Sequence, residues 1–159
     1  LFELNKDRDL PEDYRKHIED SRNFGRISMA VSKTSPDRVG EFYTELGTRI
    51  HNDEQPQTDE TILAALSAVG LDAELLERAK AGEFDDAVRA STQAGLDLVG
   101  DDVGVPIIEV AGVAFFGPVM SPAPQGADAV KAWDGTVALA QTKGFFELKR
   151  SRDVGPIFN

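Results

Sequence analysis

His17 and His51 are the only histidines of the 159-residue chain, and histidine is the side chain that changes charge near neutral pH. They are far apart in sequence and neither sits at a metal-ligand spacing, so no metal centre is expected. His17 reads as an exposed helix residue. His51 closes the most clearly patterned helix of the chain, beside Arg49 and Asn52, where a cation suits the negative end of the helix dipole. A purely structural helix-end role and a ligand-contacting role are both open for it. The chain contains no cysteine, which excludes disulfides, thiolate zinc sites and a thiol nucleophile carried by these residues. Gly-rich phosphate loops, a nucleophile-elbow serine and a helical zinc pair are also missing. What remains is Val105-Pro106, directly ahead of an apolar run. Proline lacks the donor that a central strand needs and belongs at a strand's first residue or edge. One reading is a trans proline that marks the strand start. The other is a cis proline whose preceding residue offers its backbone to an extended ligand.

The charge balance narrows the function classes further. Seventeen Lys and Arg stand against 28 Asp and Glu, a net charge of −11, with an isoelectric point near 4.6. Such a chain repels a phosphate backbone, so no nucleic-acid partner is expected. With 41% apolar and 28% charged residues, it has the composition of an ordinary folded domain. No apolar stretch approaches the roughly 18 to 20 residues that span a bilayer, and no basic-then-apolar leader opens the chain. No membrane association and a cytoplasmic location are the expectations.

The elements that must position these residues change character along the chain. Asp9 with Pro11, Glu12 and Asp13 opens a first helix with Tyr14, Ile18 and Phe24 on its inner side. A second carries Ile27, Ala30 and Val31. Ser35-Pro36 reads as N-cap and N1 of a third, whose Val39, Phe42, Tyr43, Leu46 and Ile50 form an amphipathic stripe. Thr58 starts a helix with Ile62, Leu63, Leu66 and Val69, closed by Gly70. Asp72 starts a short one with Leu75, Leu76 and Ala79, ending at Gly82. Asp85 or Asp86 begins another that runs to about Leu98. After Gly100 the pattern becomes a hairpin: Pro106 to Val110, a tight Ala111-Gly112 turn, and Val113 to Phe116. The second run is apolar at successive positions, which predicts a sheet covered on both faces. Two strands alone are marginal in water, so they are expected to pair with another chain or with strands upstream of Leu1. A last helix from about Ala127 to Gln141 is expected to turn Val130, Trp133, Val137 and Ala140 inward. A tail follows whose Lys143, Lys149, Arg150 and Arg152 form a basic cluster, expected to pair with acidic helices.

Helical region, loop, Val-Pro, strand, tight turn, strand, helix is the order in which a thioredoxin-like domain ends, and it favours the cis reading of Val105-Pro106. The residues carry a resemblance as well. Asn5, Asp9-Leu-Pro-Glu-Asp-Tyr14-Arg, Gly47-Thr-Arg-Ile-His51-Asn, Asp101-Asp-Val-Gly-Val-Pro106, Gly112-Val-Ala-Phe-Phe-Gly-Pro118 and Phe145-Phe-Glu-Leu-Lys-Arg150 resemble the mycothiol-dependent nitroreductases. These belong to the DsbA-like branch of thioredoxin-fold oxidoreductases of actinobacteria, and the resemblance runs the length of the chain. It implies an α/β, thioredoxin-like fold with an inserted all-helical subdomain. Residues 1–99 would be the helical insertion, and 100–159 the C-terminal hairpin, helix and tail.

The resemblance also implies a thiol-dependent oxidoreductase that reduces disulfides or nitroaromatic compounds with mycothiol or another low-molecular-weight thiol and uses no metal. Its Cys-Pro-Trp-Cys centre would open a helix after the first strand, where the helix N-terminus favours a thiolate. That segment is not among these 159 residues, and the catalytic cysteines are expected upstream of Leu1. By the same resemblance Asn5, His51, Val105, Pro106 and Tyr14 are the substrate- or thiol-binding residues. Partners would be a small-molecule substrate or a disulfide, and a homodimer is compatible with the pattern. Two alternatives stay open. One is a non-catalytic module that binds an extended partner by β-addition; the other is an isomerase-type relative that uses a thiol cofactor without its own cysteine pair.

Overall fold

The computed structural model describes residues 2–5, 9–151 and 153–158, without the side chains of Leu4, His17 and Asp20. The His17 side chain and the Arg152 member of the basic cluster therefore lie outside the described residues. The described elements are α1 (Phe2–Asn5), α2 (Glu12–Asp20), α3 (Arg22–Thr34), a 3-10 turn (Pro36–Arg38), α4 (Val39–His51), α5 (Asp59–Ala68), α6 (Glu74–Lys80), α7 (Asp85–Val99), β1 (Ile107–Val110), β2 (Val113–Phe116) and α8 (Gly126–Ala140). The chain parts into two compact units, Leu1–Gln93 and Ala94–Asn159, with the division inside α7.

The first unit is helical and holds the core. Ile27, Ala30 and Val31 from α3, Phe42 and Leu46 from α4, Ile62, Ala65 and Leu66 from α5, and Leu75, Leu76 and Ala79 from α6 form one buried cluster with Val69 and Phe84, whereas Val39, Ile50 and Leu63 of the expected stripes are only partly buried against it. Phe42, Ile27, Ile62, Leu66, Leu76 and Val31 are almost completely withdrawn from solvent, and each such side chain contributes roughly 1.5–3 kcal/mol of burial free energy. Thr61, buried among them, donates its hydroxyl to the Pro56 carbonyl at 2.6 Å, which removes the cost of an unpaired polar group. The turns follow local chemistry. Gly70 and Gly82 take positive φ values of 70° and 84° behind α5 and α6, the left-handed conformation that ends helices. Asp72 accepts the Glu74 backbone N–H at 2.9 Å and so satisfies a donor in the first turn of α6.

Three helix expectations change. Phe24 belongs to α3, and α2 ends before it. Tyr14 on α2 is 44% exposed and Tyr43 on α4 is 73% exposed, so neither faces inward. Both are amphipathic side chains that can edge an apolar stripe while their hydroxyls reach water. Pro36 starts a 3-10 turn rather than the first turn of α4, and Ser35 makes no side-chain capping bond.

In the second unit β1 and β2 pair antiparallel, with Ile107 opposite Phe116 and Val110 opposite Val113. Ala111 and Gly112, with φ of 53° and 75°, make the two-residue turn whose twist matches that of the strands. The expected cover on both faces is not found among the described residues. Val113 and Phe116 are 40% and 45% exposed, and the described sheet has two strands. Helix α8 buries Ala140, while Val130 and Trp133 are exposed; apolar spacing marks the stripe, but burial needs an element packed against it. Behind α8 the tail returns to the proline-rich loop: Ser121 Oγ donates to the Gly155 carbonyl at 3.0 Å and accepts the Ile157 N–H at 2.7 Å. Among the described residues no helix is long and apolar enough to cross a membrane.

Candidate functional site

Val105 and Pro106 enter β1 from a loop whose approach is set by Gly104. A Cβ on Gly104 would stand 3.4 Å from two atoms of the Phe116 ring, so the bare backbone lets the ring of β2 lie close against it. The Pro106 carbonyl accepts the Gly117 N–H at 2.8 Å, extending the ladder one step past the Ile107 and Phe116 pair. Proline's missing donor costs nothing at this first position. The Val105-Pro106 bond is cis, as are Gly117-Pro118 and Ser121-Pro122. The Val105 side chain is 66% exposed, so this corner presents an apolar surface at the head of the hairpin.

The other three residues belong to the helical unit. His51 is the last residue of α4 and is exposed. The backbone behind it is firmly closed: Asn52 and Asp53 N–H groups reach the Thr48 carbonyl at 2.9 and 3.0 Å, and Gln55 N–H reaches Arg49 at 2.8 Å. Two residues before it, Arg49 pairs with Glu45 at 2.7 Å. The imidazole thus sits at an anchored helix end and is exposed to solvent. Asn5 ends α1 and lines a shallow pocket of about 80 Å³ with Phe2, Leu10, Arg15, Ile18 and Glu19. That volume is well below the roughly 300–1,000 Å³ of pockets that enclose a drug-sized ligand. Tyr14, on α2, stands outside this pocket.

Asn5 and the α2 segment are thus brought together through the pocket that Asn5 shares with Arg15 and Ile18. Asn5, Tyr14 and His51 are hydrogen-bonding side chains on the helical unit; Val105 and Pro106 are an apolar corner of the hairpin unit. Among the described residues no group of three or more His, Cys, Asp or Glu could hold a metal ion.

One polar cluster was not read from the sequence. Arg26 donates from Nε and Nη2 to the two carboxylate oxygens of Asp85 at 2.7 and 2.6 Å, a bidentate pair. Arg22 adds a third bond at 3.0 Å from its Nη2, and its guanidinium carbon lies 4.2 Å from the centre of the Phe2 ring. Hydrogen bonding from Arg26, reinforced by the positive charges of both arginines, holds the Asp85 carboxyl below its ordinary range; the same bond raises Arg26. The available signal was the i, i+4 spacing of Arg22 and Arg26, which puts two cations on one face of α3.

A helical unit followed by a proline-led hairpin and a closing helix makes this a mixed protein of helices and a small antiparallel sheet, compatible with the α/β class. The family model described as Rv2466c-like, mycothiol-dependent nitroreductase Rv2466c, matches residues 1–150, and the chain belongs to that family. It is also 27% identical over 129 residues to the uncharacterized protein Rv2286c of Mycobacterium tuberculosis, an alignment covering 80% of this chain and 55% of that protein. The chain therefore spans about half the length of this curated relative.

Proposed function

We propose that the chain is part of a thiol-dependent oxidoreductase that reduces disulfides or nitroaromatic compounds with mycothiol or a similar small thiol. The observation that carries this reading is the family match over residues 1–150. The thiol, when bound, supplies exchange chemistry: two thiols become one disulfide, and two electrons with two protons pass to the acceptor. The 159 residues contain no cysteine, so a protein thiolate in this reaction comes from residues outside them. We place it upstream of Leu1, in a thioredoxin-like, DsbA-family domain to which the hairpin, α8 and tail contribute.

The chain's own residues then bind and orient. Asn5 and Tyr14 donate and accept hydrogen bonds along the polar part of the thiol. His51, projecting from the closed end of α4, contacts the thiol or the acceptor. The exposed Val105 and Pro106 offer an apolar contact, and the Val105 backbone meets an extended substrate. Sequencing the encoding gene upstream of Leu1 is a direct test. A Cys-x-x-Cys pair is the expected result, and its absence would overturn the catalytic reading.

A further inference from the structure

Asn5 ends a helix of one turn, Phe2–Asn5. A turn this short does not hold itself in water, because nucleation fixes several dihedrals for each hydrogen bond gained. The place of the Asn5 carboxamide is therefore set from outside α1. The Phe2 ring provides one attachment. Three residues before Asn5 on the same turn, it stacks with the Arg22 guanidinium 4.2 Å from its centre. A free arginine is a long, mobile partner, but this one is tethered by its Nη2 to Asp85 at 3.0 Å. Asp85 is itself gripped by Arg26, which also donates to the Lys80 carbonyl at 3.2 Å. The order thus runs from the ends of α6 and α7, through two arginines of α3, to the aromatic ring that anchors α1.

We infer that Arg22 is a positioning residue for Asn5: held by Asp85, its guanidinium stacks on Phe2 and fixes α1, so that the Asn5 carboxamide meets the thiol cofactor in one geometry. This rests on the proposed role of Asn5 at the thiol site. Arg22 suits the task because a planar guanidinium stacks on a ring while its edge keeps hydrogen bonds to a carboxylate.

The test is an NMR titration of the complete polypeptide with mycothiol disulfide, following the Asn5 side-chain amide, with urea unfolding run in parallel. Phe2→Leu removes the ring and leaves the Arg22 and Asp85 pair intact. It should weaken binding about two- to fivefold, the range of an exposed cation–π contact, and shift the Asn5 amide signal while the urea midpoint stays put. Phe2→Tyr keeps the stacking face and should restore wild-type affinity and signal. Arg22→Ala should also weaken binding, and adding Phe2→Leu should cost nothing more, because both changes cut one contact. Wild-type affinity in Phe2→Leu, or additive losses in the double variant, alongside weakened binding by Asn5→Ala, would overturn the role of Arg22 and leave the thiol site standing. Wild-type affinity in Asn5→Ala would overturn both.

Discussion

Replacing Asp85 by Asn tests the polar cluster that ties α3 to the start of α7. The substitution preserves shape, and Asn is well tolerated at a helix start, so its effect reports the charge. Asp85 accepts two bonds from Arg26 at 2.7 and 2.6 Å and one from Arg22 at 3.0 Å. The Arg26 side chain is 14% exposed and that of Asp85 18%, so the pair lies between two limits. Exposed pairs contribute about 0–1 kcal/mol, and breaking a fully buried one costs about 3–5 kcal/mol. A loss of about 2 kcal/mol follows, which for a unit of this size lowers Tm by roughly 8–16 °C. The pH dependence gives the sign. Asp85 titrates below its ordinary 3.8 in the folded chain, so its contribution is fully present above that value and fades as pH falls through the lower folded one. Urea unfolding of wild type and Asp85→Asn at pH 7 and pH 3 should show a clear gap at pH 7 that narrows at pH 3. A gap under about 0.5 kcal/mol at pH 7, or one unchanged at pH 3, would refute the reasoning.

Three further outcomes are expected. Leu66→Ala removes a fully buried side chain from the core and should cost about 2–5 kcal/mol in urea unfolding. Ala111→Asn should stabilise the hairpin by about 0.5–1 kcal/mol, read as slower amide exchange in β1 and β2, because Ala111 has a φ of 53° ahead of Gly112 and Asn tolerates that conformation better. His51→Ala should weaken mycothiol binding several-fold, measured by calorimetry, with stability changed by no more than about 0.5 kcal/mol, since the side chain is exposed at the end of α4.

The helical core was legible where an apolar stripe is met by another helix of the same unit. Ile27, Ala30 and Val31, the Ile62 and Leu66 stripe, and Leu75 with Leu76 are buried as their spacing predicts, since each stripe meets another helix of the same unit, α3 chiefly α6 and α4 chiefly α5. Tyr43 and Trp133 carry the same spacing and are exposed, because periodicity names a face without naming what packs on it. The one-turn helix α1 left no periodic trace. The bond between Arg22 and Asp85 joins residues 63 apart in sequence, which neither side's local pattern reveals. At the candidate site, the hairpin register and the place of Pro106 at its head were readable from the Val-Pro and Ala-Gly pairs. The pocket beside Asn5 was not, since Leu10, Arg15 and Ile18 meet Phe2 there only after α1 and α2 have formed.

The central claim is mycothiol-dependent reduction by the complete polypeptide. It is tested most directly by following the loss of a nitroaromatic or disulfide substrate with mycothiol, with glutathione in its place, and with no thiol. The account predicts turnover that needs mycothiol, falls away without a thiol, and is lost when the cysteines expected upstream of Leu1 are changed to serine. Turnover that ignores the thiol or survives the loss of those cysteines, or no turnover with any thiol, would contradict it.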